Sequence, residues 1–141
     1  MDHVVFLNKR FKGLQKIIQG EKRAESRWAN GKRSPHGRVS KGDRLFFKDT
    51  GNPVTVTAEV VDVKNFFKLE REEIQKVIQE YNDTISMTEK EIEFALQKKC
   101  GVIIFFDNVK EIEPFNVDKS DFTSMADWII VDDVNKIRLD A

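Results

Sequence analysis

Cysteine occurs once in the 141 residues and histidine twice, which leaves little from which to build a metal centre or a histidine-dependent relay. A structural zinc site draws its ligands from Cys and His at short spacing, whereas His3, His36 and Cys100 stand far apart in the chain. The single cysteine excludes an intrachain disulfide. Cys100 lies in KKCGVIIFF, between an expected helix end and a strand, and reads as a small buried thiol. Glycine-rich phosphate loops of the P-loop or dinucleotide type are missing too, so no metal and no cofactor are expected. No apolar run reaches the roughly 18 residues of a membrane-spanning helix. The opening MDHVVFLNKRF also lacks the charged-then-apolar layout of a secretory leader. These absences point to a cytoplasmic protein with no membrane among its partners.

Net charge is absent only in sum. Residues 1 to 48 hold 13 Lys/Arg against 4 Asp/Glu, and residues 49 to 141 hold 11 against 20. The N-terminal third is therefore the basic part. Phosphate neutralisation needs local rather than total positive charge, so this polarity suits a nucleic-acid site on an otherwise acidic protein. Pairing of the two halves across the fold is the other way to read it. An apolar fraction of 40% suffices for one core, and residues 1–141 are expected to form a single domain.

Along the chain, HVVFLN reads as a buried strand and KRFKGLQKIIQG as a helix, with Phe11, Leu14 and Ile18 at helical spacing and Gly20 as its stop. ANGKRSPHGRVSKGD has no periodicity and is long for a loop. RLFFK is a strand, DTGNP a turn and VTVTAEVVDVKNFF a long strand, with a bulge expected where Val60 and Val61 break the alternation. LEREEIQKVIQEY is an amphipathic helix. Ser86 and Glu89 have capping-box spacing for a second helix, with Gly101 as its stop. VIIFFDNVKEIE reads as a core strand, EPFNVDKSDFTSMA as a second long loop and DWIIVDD as a final strand. Strands separated by irregular loops, with helices inserted rather than alternating, argue for an α+β fold around a small, bent, mixed β-barrel.

The densest chemistry is in GEKRAESRW, residues 20 to 28, where Lys22, Arg23 and Arg27 surround Glu25. If residues 23 to 28 are extended, Arg23, Glu25 and Arg27 share one face and Ala24, Ser26 and Trp28 the other. Lys22 lies in the preceding turn and can converge on the Glu25 face. Two readings are open at this point: a solvated salt-bridge ladder, or the wall of a site whose cations keep Glu25 ionised and bind a phosphate or a base edge.

The order Gly20, Lys22, Glu25, Arg27 resembles the GxKxxExR signature of the ASCH domain, a PUA-like β-barrel family. KGDRLFF, residues 41 to 47, is similar to that family's Lys-Gly-Asp turn feeding a barrel strand, and the hairpin and helical insertion fall where an ASCH domain has them. The resemblance covers most of the chain. It implies that the segment walls an RNA- or nucleotide-binding cleft, for which Lys22, Arg23, Glu25, Arg27 and Trp28 are the candidates; Lys32, Arg33, His36 and Arg38 on the adjacent basic loop either follow a phosphate backbone or form a solvated loop. RNA or a nucleotide is then the expected partner; protein partners stay open, with the acidic helix pair over residues 69 to 99 as the contact surface if there are any. The resemblance also raises an alternative, a metal-independent ribonuclease or amidohydrolase with Lys22 and Glu25 catalytic. Glu25 stands where the amidohydrolase pattern has its threonine, which speaks against deacetylation.

Several neighbours have two readings each. Trp28 is a stacking face or core; Phe46 and Phe47 are stacking faces or, more simply, barrel core; Phe115, Phe122 and Met125 are a lid over the cleft or ordinary loop packing.

Overall fold

The computed structural model describes residues 1–123 and 125–139. The strands are β1 (Asp2–Leu7), β2 (Ala24–Ala29), β3 (Arg44–Asp49), β4 (Val54–Phe66), β5 (Cys100–Val117), β6 (Trp128–Val131) and β7 (Arg138–Leu139). The helices are α1 (Gly13–Ile18), α2 (Arg71–Ile85) and α3 (Glu89–Leu96), with short 3-10 turns at Lys9–Phe11 and Val134–Ile137. Among the described residues the strands form a sheet in the order β2-β5-β4-β3-β1-β6, and β7 pairs with β5. β1 and β3 run parallel and the other pairs antiparallel. The α+β fold with inserted helices expected from the sequence is thus present, as a bent mixed half-barrel whose path ends at β2 and β6.

The curl follows from the two longest strands. β4 and β5 slip register at three places, between Val54 and Val56, Thr57 and Glu59, and Val60 and Asp62. Each irregularity adds local twist, and the third lies where Val60 and Val61 break the alternation. Inside the curl Val5, Leu7, Leu45, Phe47, Val102 and Ile104 pack together with Trp128. On the outer face of β1, β3 and β6 lie Val4, Phe6, Phe46, Phe115 and Ile129. The outer face of β2 and β5 receives α2 and α3 through Ala24, Trp28, Ile74, Ile78, Ala95 and Ile103. No described helix is long and apolar enough to cross a membrane.

Four local expectations are corrected. The helix over residues 9 to 20 is broken at Lys12, whose left-handed backbone (φ 56°) separates a 3-10 turn from α1. Gly20, in the left-handed region at φ 80°, follows the end of α1 as expected. The capping box is Thr88 with Glu91 rather than Ser86 with Glu89: Thr88 Oγ1 accepts the Glu91 N–H at 3.3 Å and Glu91 Oε1 accepts the Thr88 N–H at 3.0 Å. Ser86 is unable to serve because its N–H donates to Asn82 O, and its left-handed backbone ends α2. β5 runs on to Val117, so the second loop starts later than expected; Pro114, which has no N–H to donate, sits in the register irregularity between the Val54–Phe115 and Val56–Glu111 pairs. Ser124 of that loop lies outside the described residues.

Gly101, expected to stop a helix, is instead the second residue of β5 and lies under the Trp28 ring. A Cβ there would meet Trp28 Cε3 at 2.3 Å. Gly101→Ala is therefore expected to cost about 1–3 kcal/mol by overpacking and to shift the Trp28 fluorescence. Urea unfolding measures the first and emission spectra the second; an alanine variant as stable as the parent would mean the indole has room to move.

Candidate functional site

β2 pairs with β5 so that Glu25 lies opposite Ile104 and Arg27 opposite Val102. Those two partners belong to the apolar interior, so strand alternation turns Glu25 and Arg27 inward while Ala24 and Trp28 pack outward against α2 and α3. Lys22 comes in from the turn before β2 with its stem against Gly13 of α1. The result is a buried charge chain. Lys22 is 3% exposed and Glu25 6%, and Glu25 lies between the Lys22 ammonium at 3.2 Å and the Arg27 guanidinium at 3.3 Å. Glu25 Oε1 also accepts the Ser26 N–H at 3.0 Å. This burial excludes a solvated ladder.

Each cation also reaches past the carboxylate. Lys22 Nζ donates to Ile85 O at 2.8 Å, at the end of α2. Arg27 Nη2 donates to Phe6 O of β1 at 2.8 Å, and its Nη1 donates to Asp127 O, just before β6, at 3.3 Å. The guanidinium also stands 5.1 Å over the Trp128 ring. Arg27 thus bridges the gap that the sheet leaves open between β2 and the β1–β6 side.

The chain forms one wall of a cleft of about 560 Å³. The end of β1 and the turn after it (Phe6, Leu7, Asn8), the loop residues Gly31 and Arg33 to His36, and α3 with Lys90, Glu91 and Phe94 complete the enclosure. Arg33 and Lys90 are exposed at its border and enter no ion pair among the described residues. Lys90 and Phe94, at i,i+4 spacing, and Asp127 were not picked out from the sequence. The signal for the first two was available, since Phe94 falls off the apolar stripe of Ile92, Ala95 and Leu96.

The sequence-predicted residues divide. Lys22, Glu25, Arg27, Trp28 and Arg33 meet at the cleft. Arg23 does not, because its backbone N–H and its guanidinium are taken by Thr84 O and Asp83 O at the end of α2 (2.8 and 3.4 Å). Lys32 and Arg38 are exposed on the loop but do not line the cleft. Trp28 is both wall and core: it lines the cleft, its Nε1–H donates to Ser26 Oγ at 3.0 Å, and its ring stacks on Phe66 with centroids 6.4 Å apart. Phe46 and Phe47 are core. Phe115 and Phe122 pack on the outer face of the sheet and Met125 is 79% exposed away from the cleft lining, so the lid is not observed.

A second buried polar group supports the first. His3 Nε2–H donates to Asp43 Oδ2 at 2.7 Å, and Trp128 Nε1–H donates to His3 Nδ1 at 3.0 Å, which sets the neutral tautomer. Asp43, from the Lys-Gly-Asp turn, also accepts the Ser40 N–H at 3.0 Å and the Met1 ammonium at 3.1 Å. His3 thereby holds the indole on which Arg27 rests. Among the described residues no three His, Cys, Asp or Glu side chains gather as a metal site would need.

The curled mixed half-barrel is a recognisable fold. Comparison with solved structures places it: the crystal structure of the ASCH protein from Zymomonas mobilis is similar over 92% of this chain and 87% of its own, with a TM-score of 0.68 at 14% identity. Two single-substitution variants of that protein superpose with a TM-score of 0.71, at 12% and 15% identity, covering 96% of this chain and 93% and 91% of theirs. No family model matches the sequence, and no curated protein does. The chain has the ASCH fold, a PUA-like architecture.

Burial pushes the Glu25 carboxyl up, but the Lys22 ammonium, the Arg27 guanidinium and the hydrogen bonds from Lys22 and Ser26 outweigh it and hold the group below its ordinary 4.5. Burial lowers His3 from 6.5 against the opposing pull of Asp43. In both cases the unfolded chain binds more protons between the two pKa values, so stability is lost as pH falls. The expected acid profile has a first limb beginning below about 6.5 from His3 and a second below about 4.5, to which Glu25 and the likewise lowered Asp43 contribute. Urea midpoints across the neutral-to-acid range check this, and Glu25→Gln should flatten the second limb and spare the first. Glu25→Ala at neutral pH is expected to cost about 3–5 kcal/mol, because Lys22 then stays buried without its counter-charge. A loss under about 1 kcal/mol, typical of an exposed pair, would contradict the buried geometry.

Proposed function

We propose that this protein is a nucleic-acid-binding module of the ASCH type that takes RNA or a nucleotide into the cleft beside β2. The observation that carries the reading is the gathering of the buried Lys22 and Glu25 with the partly exposed Arg27 along one wall of a cleft of about 560 Å³. That volume is within the range of small-molecule and nucleotide pockets. The shared fold and the Gly20-Lys22-Glu25-Arg27 pattern support it.

The roles follow from what each group has left to offer. Glu25 has roughly four lone-pair sites and spends them on Ser26, Lys22 and Arg27; its task is to hold two cations in place, with one site left for a base edge. Trp28 contributes apolar surface to the cleft wall. Arg33 and Lys90 at the border take phosphate, and Lys32 and Arg38 extend the positive surface along the loop.

The hydrolase alternative asks Lys22 to act as base. Its Nζ is held by Ile85 O at 2.8 Å and by Glu25 at 3.2 Å, an occupation that suits a fixed cation better than a proton acceptor. Binding is the reading the geometry favours. Incubation with RNA and acylated nucleosides decides the matter: turnover that is lost in Lys22→Ala and untouched by a chelator would replace binding with hydrolysis.

Binding should be strongly salt-dependent, with log K falling by about 0.7 per phosphate contacted per log unit of salt for single strands. Arg33→Gln and Lys90→Gln should each reduce the slope by about 0.7. Fluorescence anisotropy over a salt series measures this, and an absence of binding to any single-stranded RNA or DNA at low salt would end the proposal.

A further inference from the structure

The loop that borders the cleft is tied to the end of β4. His36 Nε2–H donates to Phe66 O at 2.9 Å and the Gly37 N–H donates to Asn65 Oδ1 at 2.8 Å. Phe66 itself stacks on Trp28 of the cleft wall. The next residue, Phe67, turns outward and is 47% exposed. Two ammonium groups stand over its ring, Lys32 at 4.1 Å and Lys68 at 5.2 Å from the centroid. Lys32 is flanked in sequence by the cleft-lining Gly31 and Arg33, so the ring lies beside the cleft border. Lys68 takes a left-handed backbone at φ 55°, uncommon for a residue with a side chain. Neither lysine enters an ion pair among the described residues.

We infer that Phe67, Lys32 and Lys68 form a second nucleotide subsite next to the cleft, so that the ligand is a single-stranded polynucleotide spanning both. The inference rests on the binding reading above and adds the length and strandedness of the ligand. An exposed aromatic ring with two ammonium groups that enter no ion pair beside it matches the alternation of base and phosphate along a single strand. Phosphate oxygens are stronger partners for the ammonium groups than the π face of a phenyl ring. The arriving backbone therefore draws Lys32 and Lys68 aside and leaves the ring to a base. A duplex keeps its base faces stacked internally and has none to offer Phe67.

The test compares labelled uridylate and adenylate oligomers of about six residues, a length such strand-binding surfaces cover, with their deoxy counterparts, the matching duplex, and UMP and AMP as single nucleotides. The oligomers should bind at least about tenfold more tightly than the mononucleotides. Phe67→Ala should weaken the oligomers by about tenfold, the loss of one stacked base, and Phe67→Tyr should retain their affinity. The RNA and DNA arms tell which sugar is preferred, and preference for either supports the subsite. Oligomer affinity unchanged in Phe67→Ala but reduced in Arg33→Gln would overturn the subsite and leave the cleft reading standing. Duplex binding as tight as single-strand binding would overturn it as well. If neither oligomers nor mononucleotides bind the parent protein, the cleft reading is lost and the subsite goes with it.

Discussion

A carboxylate held out of water needs compensation from every side, and Glu25 obtains it from Lys22 and Arg27. Desolvation of such a group is costly enough that geometry leaves little freedom. Lys22 must reach in from the turn after α1, and Arg27 must share a strand face with Glu25. Because each cation has further donors, the same chain also fastens structure: Lys22 to the carboxyl end of α2, and Arg27 to β1 and the start of β6. The open seam of the half-barrel and the cleft beside it exist because a guanidinium, rather than a ladder of backbone hydrogen bonds, joins the two ends of the sheet.

The polarity of charge along the chain resolves into two uses. Part of the basic N-terminal segment meets the negative end of α2, where Lys16 donates to Ser86 O, Lys22 to Ile85 O and Arg23 to Asp83 O. The last turn of α2 has no basic residue of its own, so these distant cations supply what the helix dipole favours there. Another part, Lys32, Arg33 and Arg38, stays exposed on the loop. Pairing across the fold and a free basic surface, alternatives at the level of composition, are both present.

Much of the site was legible. Period-two alternation put Glu25 and Arg27 on one face, and the position of Lys22 outside the strand let it join them. The same alternation misled for Arg23, because β2 begins only at Ala24 and the end of α2 claims the arginine first. Ser86 and Thr88 offer the same spacing to a glutamate three residues on, and only the point at which α2 ends selects Thr88. His3, Asp43 and Trp128 carry no mutual signal, since loops and strands from both ends of the chain separate them before the sheet brings them to hydrogen-bonding distance.

The sequence by itself determined the elements of the half-barrel, the likeness of Gly20-Lys22-Glu25-Arg27 and of the Lys-Gly-Asp turn to the ASCH pattern, and the concentration of cations before residue 48. These depend on neighbours within a few positions, where periodicity and turn chemistry act. Burial of Lys22 and Glu25, the bridge that Arg27 makes across the seam, and the exposure of Phe67 beside the cleft were decided by the tertiary structure alone. Whether a charge is solvated or enclosed depends on which distant strands and helices pack over it, and local spacing carries no information about that.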